Sequence, residues 1–505
     1  MNRRTVVPMT QSLAILAGLS MPLPSVAQSV PYPVAVSGTP APAGGNYAGL
    51  FFIPVLNSSG QVAFTATTTV AGTGLFVGTP GTPLTTAALT GTTAPSGGTY
   101  TGLSSPILSD SGQVAFGAQL AGNGYGLYAG TPGSSLNTIA LKGAAAPVGG
   151  NYTGFYGPVI NASGQVAFSA TLSAGGSGMF AGAPGSLLTT VARDGTPSPA
   201  GANYLTSPTA YALNSSGQVT FRANLVPATP AIFAGTPGTT LTTVALDTLT
   251  TQGGASYGQF MDPVMNSAGQ VAVTAGISCI FVGTPGSTLV VAAEIGKPAP
   301  TGGNYTGIGT PVLNASGKIA FLGEVGSGSG IFTGIAGSSM QTIASQLAVA
   351  PGTGGESYSV FTSPNVAMNN LGQVAFLSNL TGLTARNQGL FAGTPDNVIL
   401  VVRKGDIIDV DPTAAIDNRT VSAINFLTGT SNESGQGMSF NDAGSLVYRL
   451  SFTDGSSGIF VSSVAVPEPA TIALLAGTAF LGTLGAYQYR RREQRMLDKR
   501  IDRQS

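Results

Sequence analysis

The chain has 505 residues, 43% of them apolar and only 8% charged, with Lys+Arg and Asp+Glu balanced at 19 each. Disorder driven by charge and a basic nucleic-acid surface are therefore excluded. With no His, no Trp and one Cys, His-dependent triads, His-ligated or all-cysteine zinc, c-type haem and an intrachain disulfide framework are excluded as well. No residue set calls for a cofactor.

The balance of charge is uneven along the chain. Arg3 and Arg4 open it, and seven basic residues lie between Arg490 and Arg503. The body from Gln28 to Ala465 keeps ten basic and fifteen acidic residues and is mildly acidic. Met1 to Ala27 reads as a secretory signal. Arg3-Arg4 form its charged region, Ser12 to Leu19 its short apolar stretch, and Ser25-Val26-Ala27 the small-residue cleavage site. Pro8, Pro22 and Pro24 break the segment, which is too short to span a bilayer.

The body, 28–465, is one repeat. A short apolar strand, Pro33 to Ser37, precedes it. Asn-x-Ser/Ala-Gly-Gln-Val-Ala-Phe then recurs with small variations from Asn57, Asn161, Asn214, Asn266, Asn314 and Asn369, with a copy at Ser109 to Phe116 and a divergent one at Asn441 to Tyr448. The motif glycines Gly60, Gly112, Gly164, Gly217, Gly269, Gly317, Gly372 and Gly444 are spaced by 52, 52, 53, 52, 48, 55 and 72 residues.

Each period reads as four strands between turns. In the first copy these are Pro54-Val55-Leu56, Gln61 to Ala66, Gly74 to Val77 and Leu84 to Leu89. The runs are rich in Val, Ile, Phe and Thr and too short for helices. Asn57-Ser58-Ser59-Gly60 is a compact turn, its Asn accepting from backbone N–H groups and its Gly free to take φ > 0; Thr79-Pro80-Gly81 is a second. The same turn role falls to Gly164, Gly217, Gly269, Gly317 and Gly372 with their Asn partners. Four antiparallel strands in about fifty residues make a β-propeller blade.

The fold expected is therefore all-β: a propeller of about eight four-stranded antiparallel blades. The last copy, ending at Gly458 to Val461, lacks a fourth strand, and Pro33 to Ser37 is a fourth strand without a blade. Pairing them closes the ring and removes both sheet edges. Seven blades with an irregular terminal module is the alternative.

Few residues suggest chemistry. The motif Asn, as sugar ligands, compete with their turn role, which explains every copy. Tyr47, Tyr100, Tyr152, Tyr204, Tyr257, Tyr305 and Tyr358 stand at the entry to each inner strand; packing against the neighbouring blade is weighed against an aromatic ring for carbohydrate. A glycosidase needs two carboxylates about 5–10 Å apart, and the acids Asp110, Asp194, Asp247, Asp262, Glu294 and Glu324 hold no repeated position. Asp406, Asp409, Asp411 and Asp417 lie in a stretch that reads as a loop inserted into the last, 72-residue spacing. The first three are the candidates for Ca²⁺, against solvated loop acids. Cys279 takes a position held elsewhere by Gly and reads as a small buried residue.

At the C-terminus, Ala470 to Tyr489 is uncharged over about 30 Å of helix, one hydrocarbon thickness. Arg490, Arg491 and Arg492 follow and place 490–505 in the cytoplasm by the positive-inside rule. Pro467-Glu468-Pro469 stands just before the span. This order of triplet, apolar helix and Arg cluster, 466–495, resembles the PEP-CTERM sorting signal. The resemblance implies a partner, an exosortase, that processes the tail at the inner membrane and passes the protein to the cell surface or matrix. A plain single-span anchor is the alternative. The body also looks like the Asn-x-x-Gly-x-x-Ala-Phe tandem repeats of bacterial surface proteins, a repeat architecture to which no activity attaches. Ser109 departs from that pattern. The function expected is that of a non-catalytic exported envelope or matrix protein in adhesion or biofilm organisation, with extracellular polysaccharide as its candidate partner. The alternative is a secreted propeller enzyme or lectin acting on a glycan.

Overall fold

The computed structural model describes residues 30–464 apart from 207, 209–210, 248–258, 277, 327, 362–365, 412, 414–415 and 430–436. The signal segment, the tail with Pro467, Glu468, Pro469 and the Arg490–Arg492 cluster, and Tyr257 lie outside the described residues. No helix among the described residues is long and apolar enough to cross a membrane.

The strands gather into eight antiparallel sheets, one per repeat, as the period requires. In blade one the Gln-Val-Ala-Phe run becomes the second strand, Val62–Thr68, and pairs with the third, Gly72–Gly78, bringing Phe64 opposite Phe76. The outer strand, Thr85–Leu89, pairs with the third through a bulge at Leu75/Phe76.

The inner strand is longer than the sequence suggests. Val55–Leu56 is only its second half, paired with Ala63 and Val62. The first half, Tyr47–Phe51, pairs with the far end of the second strand, Tyr47 opposite Thr68 and Phe51 opposite Ala66. Between the halves the chain bulges at Phe52 and Ile53. Gly44-Gly45 before this half and Gly49 within it weaken its strand propensity, so only the Tyr at the entry to the inner strand marks it in the sequence.

The ring closes with the first strand of the chain. Tyr32–Val36 pairs antiparallel with Ser457–Ser463, Tyr32 opposite Val461 and Val36 opposite Gly458. The N-terminal segment is thus the outer strand of blade eight. The stretch read as an inserted loop needs correction. Asn418–Asn425 is the inner strand of blade eight, with Val421 and Ile424 buried, and pairs with both Ser445–Phe452 and Ile407–Asp409. The loop reading failed because a single Val stands where the other blades carry Tyr: Val421 exchanges backbone hydrogen bonds with Gly405 and Asp406 as Tyr47 does with Gly38 and Thr39.

The apolar core is eight wedges rather than one mass, each between two neighbouring blades. Leu75 and Val77 of blade one, for example, pack with Tyr100, Val114 and Phe116 of blade two. The closing wedge holds Ala35, Val447 and Ile459 with Tyr47, Phe51 and Phe64. Blades must be thin to stack this way. A Cβ on Gly74 would lie 2.5 Å from the Phe76 ring, and the equivalent Gly126, Gly178, Gly330 and Gly389 meet their own third-strand rings at 2.6 to 2.9 Å. Cys279 is the fifth-blade counterpart, opposite Ala275 and buried; burial pushes its thiol up to about 12.

Candidate functional site

The repeat motif builds a ring of side chains around the axis. In each turn the Asn carboxamide first organises its own blade. Asn57 Oδ1 accepts from the Gln61 N–H and the Ser59 hydroxyl, each at 2.9 Å, and Asn57 Nδ2 donates to Gln61 Oε1 at 2.9 Å. Gly60 follows with φ 82°, the left-handed region the turn needs. Asn161, Asn214 and Asn266 repeat the pattern.

The same amide then reaches across the seam. Asn57 Nδ2 donates to the carbonyl of Ser109 in blade two at 3.0 Å, Asn161 to Asn214 at 3.0 Å, Asn214 to Asn266 at 3.3 Å and Asn266 to Asn314 at 2.9 Å. Asn314 donates to Asn369 at 3.3 Å, Asn369 to Asn441 at 3.0 Å, and Asn441 returns to Asn57 at 3.1 Å. One link is chemically impossible: Ser109 has no amide to send to Asn161. Its hydroxyl keeps only the turn, accepting from the Gln113 N–H at 3.1 Å. All these side chains are fully buried, so they bind the ring together and cannot meet a sugar.

The motif Gln and Gly interlock as well. A Cβ on Gly112 would sit 2.5 Å from Gln61 Oε1 of the preceding blade; Gly164, Gly217, Gly269 and Gly317 stand in the same relation to Gln113, Gln165, Gln218 and Gln270, at 2.4 to 2.8 Å. Gly372 meets Lys318, which replaces the Gln in blade six. The spacing Asn-x-x-Gly-Gln thus serves two blades at once.

The repeated tyrosines are also interior. Tyr47, Tyr100, Tyr152, Tyr204, Tyr305 and Tyr358 are each 3% exposed and meet the third-strand ring of their blade edge-on, at 5.0 to 5.3 Å between centroids. They pack into the seam with the preceding blade. Burial removes them as a surface for carbohydrate. Their hydroxyls have no hydrogen-bond partner among the described residues, and burial raises the pKa of each, that of Tyr152 to about 12.

The clustered acids are used locally. Asp406 accepts from the Arg403 N–H and pairs with Arg386 at 3.1 Å. Asp409 accepts from the N–H groups of Asp411 and Asp417. Asp411 accepts from Thr413, which holds its carboxyl below the usual range, and Asp417 pairs with Arg419 at 2.6 Å. No group of three or more His, Cys, Asp or Glu among the described residues is arranged to hold a metal.

The chain has a distant likeness to solved structures of low sequence identity. The β-propeller domain of the Trilobed protease from Pyrococcus furiosus matches at 9% identity and TM-score 0.40, over 74% of this chain and 99% of that one. TolB from Acinetobacter baumannii matches at 11% and 0.28, over 57% and 62%, and puromycin hydrolase at 12% and 0.41, over 84% and 62%. The chain thus spans about three fifths of the length of the latter two. No curated protein matches the chain significantly in sequence. A family model matches residues 26–245 and 81–473, nearly the whole chain, and the protein belongs to that family, DUF7453, whose function is unknown.

Proposed function

We propose that this is an exported, non-catalytic envelope or matrix protein, delivered to the cell surface through its Pro-Glu-Pro tail and working in adhesion or matrix organisation. The observation that carries the reading is where the ring ends. Its last strand stops at Ser463, and Val464 is buried, donating its N–H to Gly444 O at 2.7 Å and accepting from Gln373 Nε2 at 3.2 Å. Among the described residues the last blade is complete by Val464, ahead of Pro467 in the chain. Cleavage at the tail would therefore release a closed ring with no exposed sheet edge at its seam. The residues that repeat most faithfully, Asn, Gln, Gly, Tyr and Phe, serve the seams, which suits a rigid scaffold.

The test uses the full chain in a host with and without its exosortase. Mass spectrometry of surface material should find peptides of the body and none from Ile472 to Tyr487 when the exosortase is present. Intact span peptides at the surface would leave a permanent anchor, and a body confined to the cytoplasm would end the reading.

A further inference from the structure

The two faces of the ring differ in charge. The second strand of each blade runs away from its Asn turn and the third runs back, so the Asn turns and the turns between third and outer strands share one face. All of these turns are among the described residues. The only charged residues in them and in the strand ends beside them are Asp110, Lys318, Asp396 and Asp442. Asp110 accepts from the Ser58 N–H at 2.9 Å, and Asp442 accepts from the N–H and the side-chain amide of Asn370 at 2.7 and 3.0 Å. Lys318 lies against Gly372, and burial lowers its pKa. The face is otherwise built mostly of Ser, Thr, Asn, Gln, Gly and Pro, with Leu187 96% and Leu371 65% exposed in its turns.

The opposite face is charged round the ring. Arg193, Asp194, Asp247, Glu294 and Lys297 stand at or just beyond the ends of outer strands there, and Arg386 pairs with Asp406 between two of its hairpins. Apolar side chains are exposed on this face too, Leu347 and Leu383 among them, so it is charge that tells the faces apart.

Both ends of the ring leave from the weakly charged face. Tyr32 pairs with Val461, and Val464 donates its N–H to Gly444 O beside the Asn441 turn. Ala470, where the uncharged stretch begins, is six residues beyond Val464, and six residues of chain reach at most about 22 Å. A second strand such as Val62–Thr68 makes a blade roughly 23 Å tall before its turns are added. A tail of that reach brings the Asn-ring face to a bilayer, and leaves the opposite face a blade's height away.

We propose that the Asn-ring face seats flat on a zwitterionic lipid surface while the tail is uncut, with its turns among the headgroups and Leu187 and Leu371 at the acyl boundary. Charged side chains resist leaving water; hydroxyl and amide turns can exchange water for headgroup oxygens, and a half-exposed Tyr32 beside the exit suits the interface. The proposal rests on the reading of the tail as a span and adds an orientation that a tether alone does not impose. Leu187 belongs to blade three and the tail leaves from blade eight, so lipid meets both only if the ring lies flat.

The experiment uses the full chain in phosphatidylcholine liposomes with no other protein present. Leu187→Cys, Leu371→Cys and, at the other end of blade seven, Leu383→Cys are each labelled with an environment-sensitive dye and read for quenching by doxyl-labelled phosphatidylcholine. The native Cys279 is buried and stays unlabelled, and a melting midpoint equal to that of the unaltered chain shows that each ring is intact. Quenching at Leu187→Cys and Leu371→Cys should exceed that at Leu383→Cys by about three-fold or more, as for side chains at the acyl boundary against one in water. Quenching at Leu371→Cys alone, which a ring tilted about its tail would give, or equal quenching at all three positions overturns the proposal. Failure of the unaltered chain to float with the liposomes overturns it together with the reading of the tail, so the two failures are told apart.

Discussion

The seam between blades eight and one and the seam between blades two and three are built from the same repeat and held differently. The closing seam joins residues some four hundred positions apart. Asn441 donates to Asn57 O, the Leu56 N–H to Met438 O at 2.6 Å, Arg449 to Phe51 O at 2.7 Å and the Ser457 hydroxyl to Gly49 O at 2.6 Å. Arg419 adds a bond to Ser37 O at 3.2 Å, tying the N-terminal strand to the inner strand of blade eight. At the other seam Ser109 replaces the Asn and the amide link is missing. Blades two and three are consecutive in the chain, so their association closes only a short loop, whereas blades eight and one must overcome the loop-closure entropy of the whole ring. Of these two seams, the one that covalent connection helps least is the one that carries the amide link.

The comparison breaks most severely if the closing strand is removed. Deleting Tyr32–Gly38 takes away the pairing with Ser457–Ser463, the Ser37–Ser457 exchange at 2.9 and 3.0 Å and the burial of Ala35 and Val36. At about 1 kcal/mol per hydrogen bond and about 2 kcal/mol for a buried Val, the loss approaches a typical margin of roughly 5–15 kcal/mol. Thermal melting should collapse and aggregation begin early at the bared edge; an unchanged midpoint would show that the closure is not needed.

A smaller effect separates the two tasks of the Asn. Asn441→Ala should cost about 1–3 kcal/mol by denaturant unfolding, since it strands the Ser445 N–H and takes from the Asn57 carbonyl one of its two donors, leaving the Gly60 N–H. Asn441→Ser should recover part of this, because Ser109 shows that a hydroxyl can hold the turn. If both variants cost the same, the cross-seam bond contributes nothing. The converse change, Ser109→Asn, supplies the missing link and should stabilise by about 1 kcal/mol.

The smallest effect concerns Tyr152, buried in the seam between blades two and three. Tyr152→Phe removes a hydroxyl without a partner and should leave stability within about 1 kcal/mol at neutral pH, or raise it. At high pH the two proteins diverge. The folded-state pKa of Tyr152 is raised to about 12 from an unfolded value near 10. Its contribution is fully present below the unfolded value and is lost as pH rises through the folded one. The stability of the variant should therefore fall less between pH 10 and 12; parallel pH profiles would mean that Tyr152 ionises as freely folded as unfolded.

Much of the architecture was legible in residues. The period, the second and third strands, the Asn-Gly turn and the orphan strand at Pro33 to Ser37 follow from local rules: alternation, a side chain that caps its own turn, and a glycine that takes φ > 0. One element was misread and one only partly marked, for reasons equally local. Tyr47–Phe51 hides behind Gly44, Gly45 and Gly49, and Asn418–Asn425 lacks the Tyr that marks its counterparts.

What the sequence determined by itself is the blade, because a blade is made of contacts between residues a few to twenty positions apart, and such contacts leave a periodic trace. What only the tertiary structure decided lies between blades and along the axis. Asn57 reads as a turn residue whether or not its amide crosses to Ser109. Phe52 and Phe51 read alike as apolar residues of one run, yet Phe51 is 2% exposed in a seam and Phe52, the next residue, 47% exposed. The difference is set by which side of the innermost strand each faces once eight blades have closed, and no local pattern encodes that position.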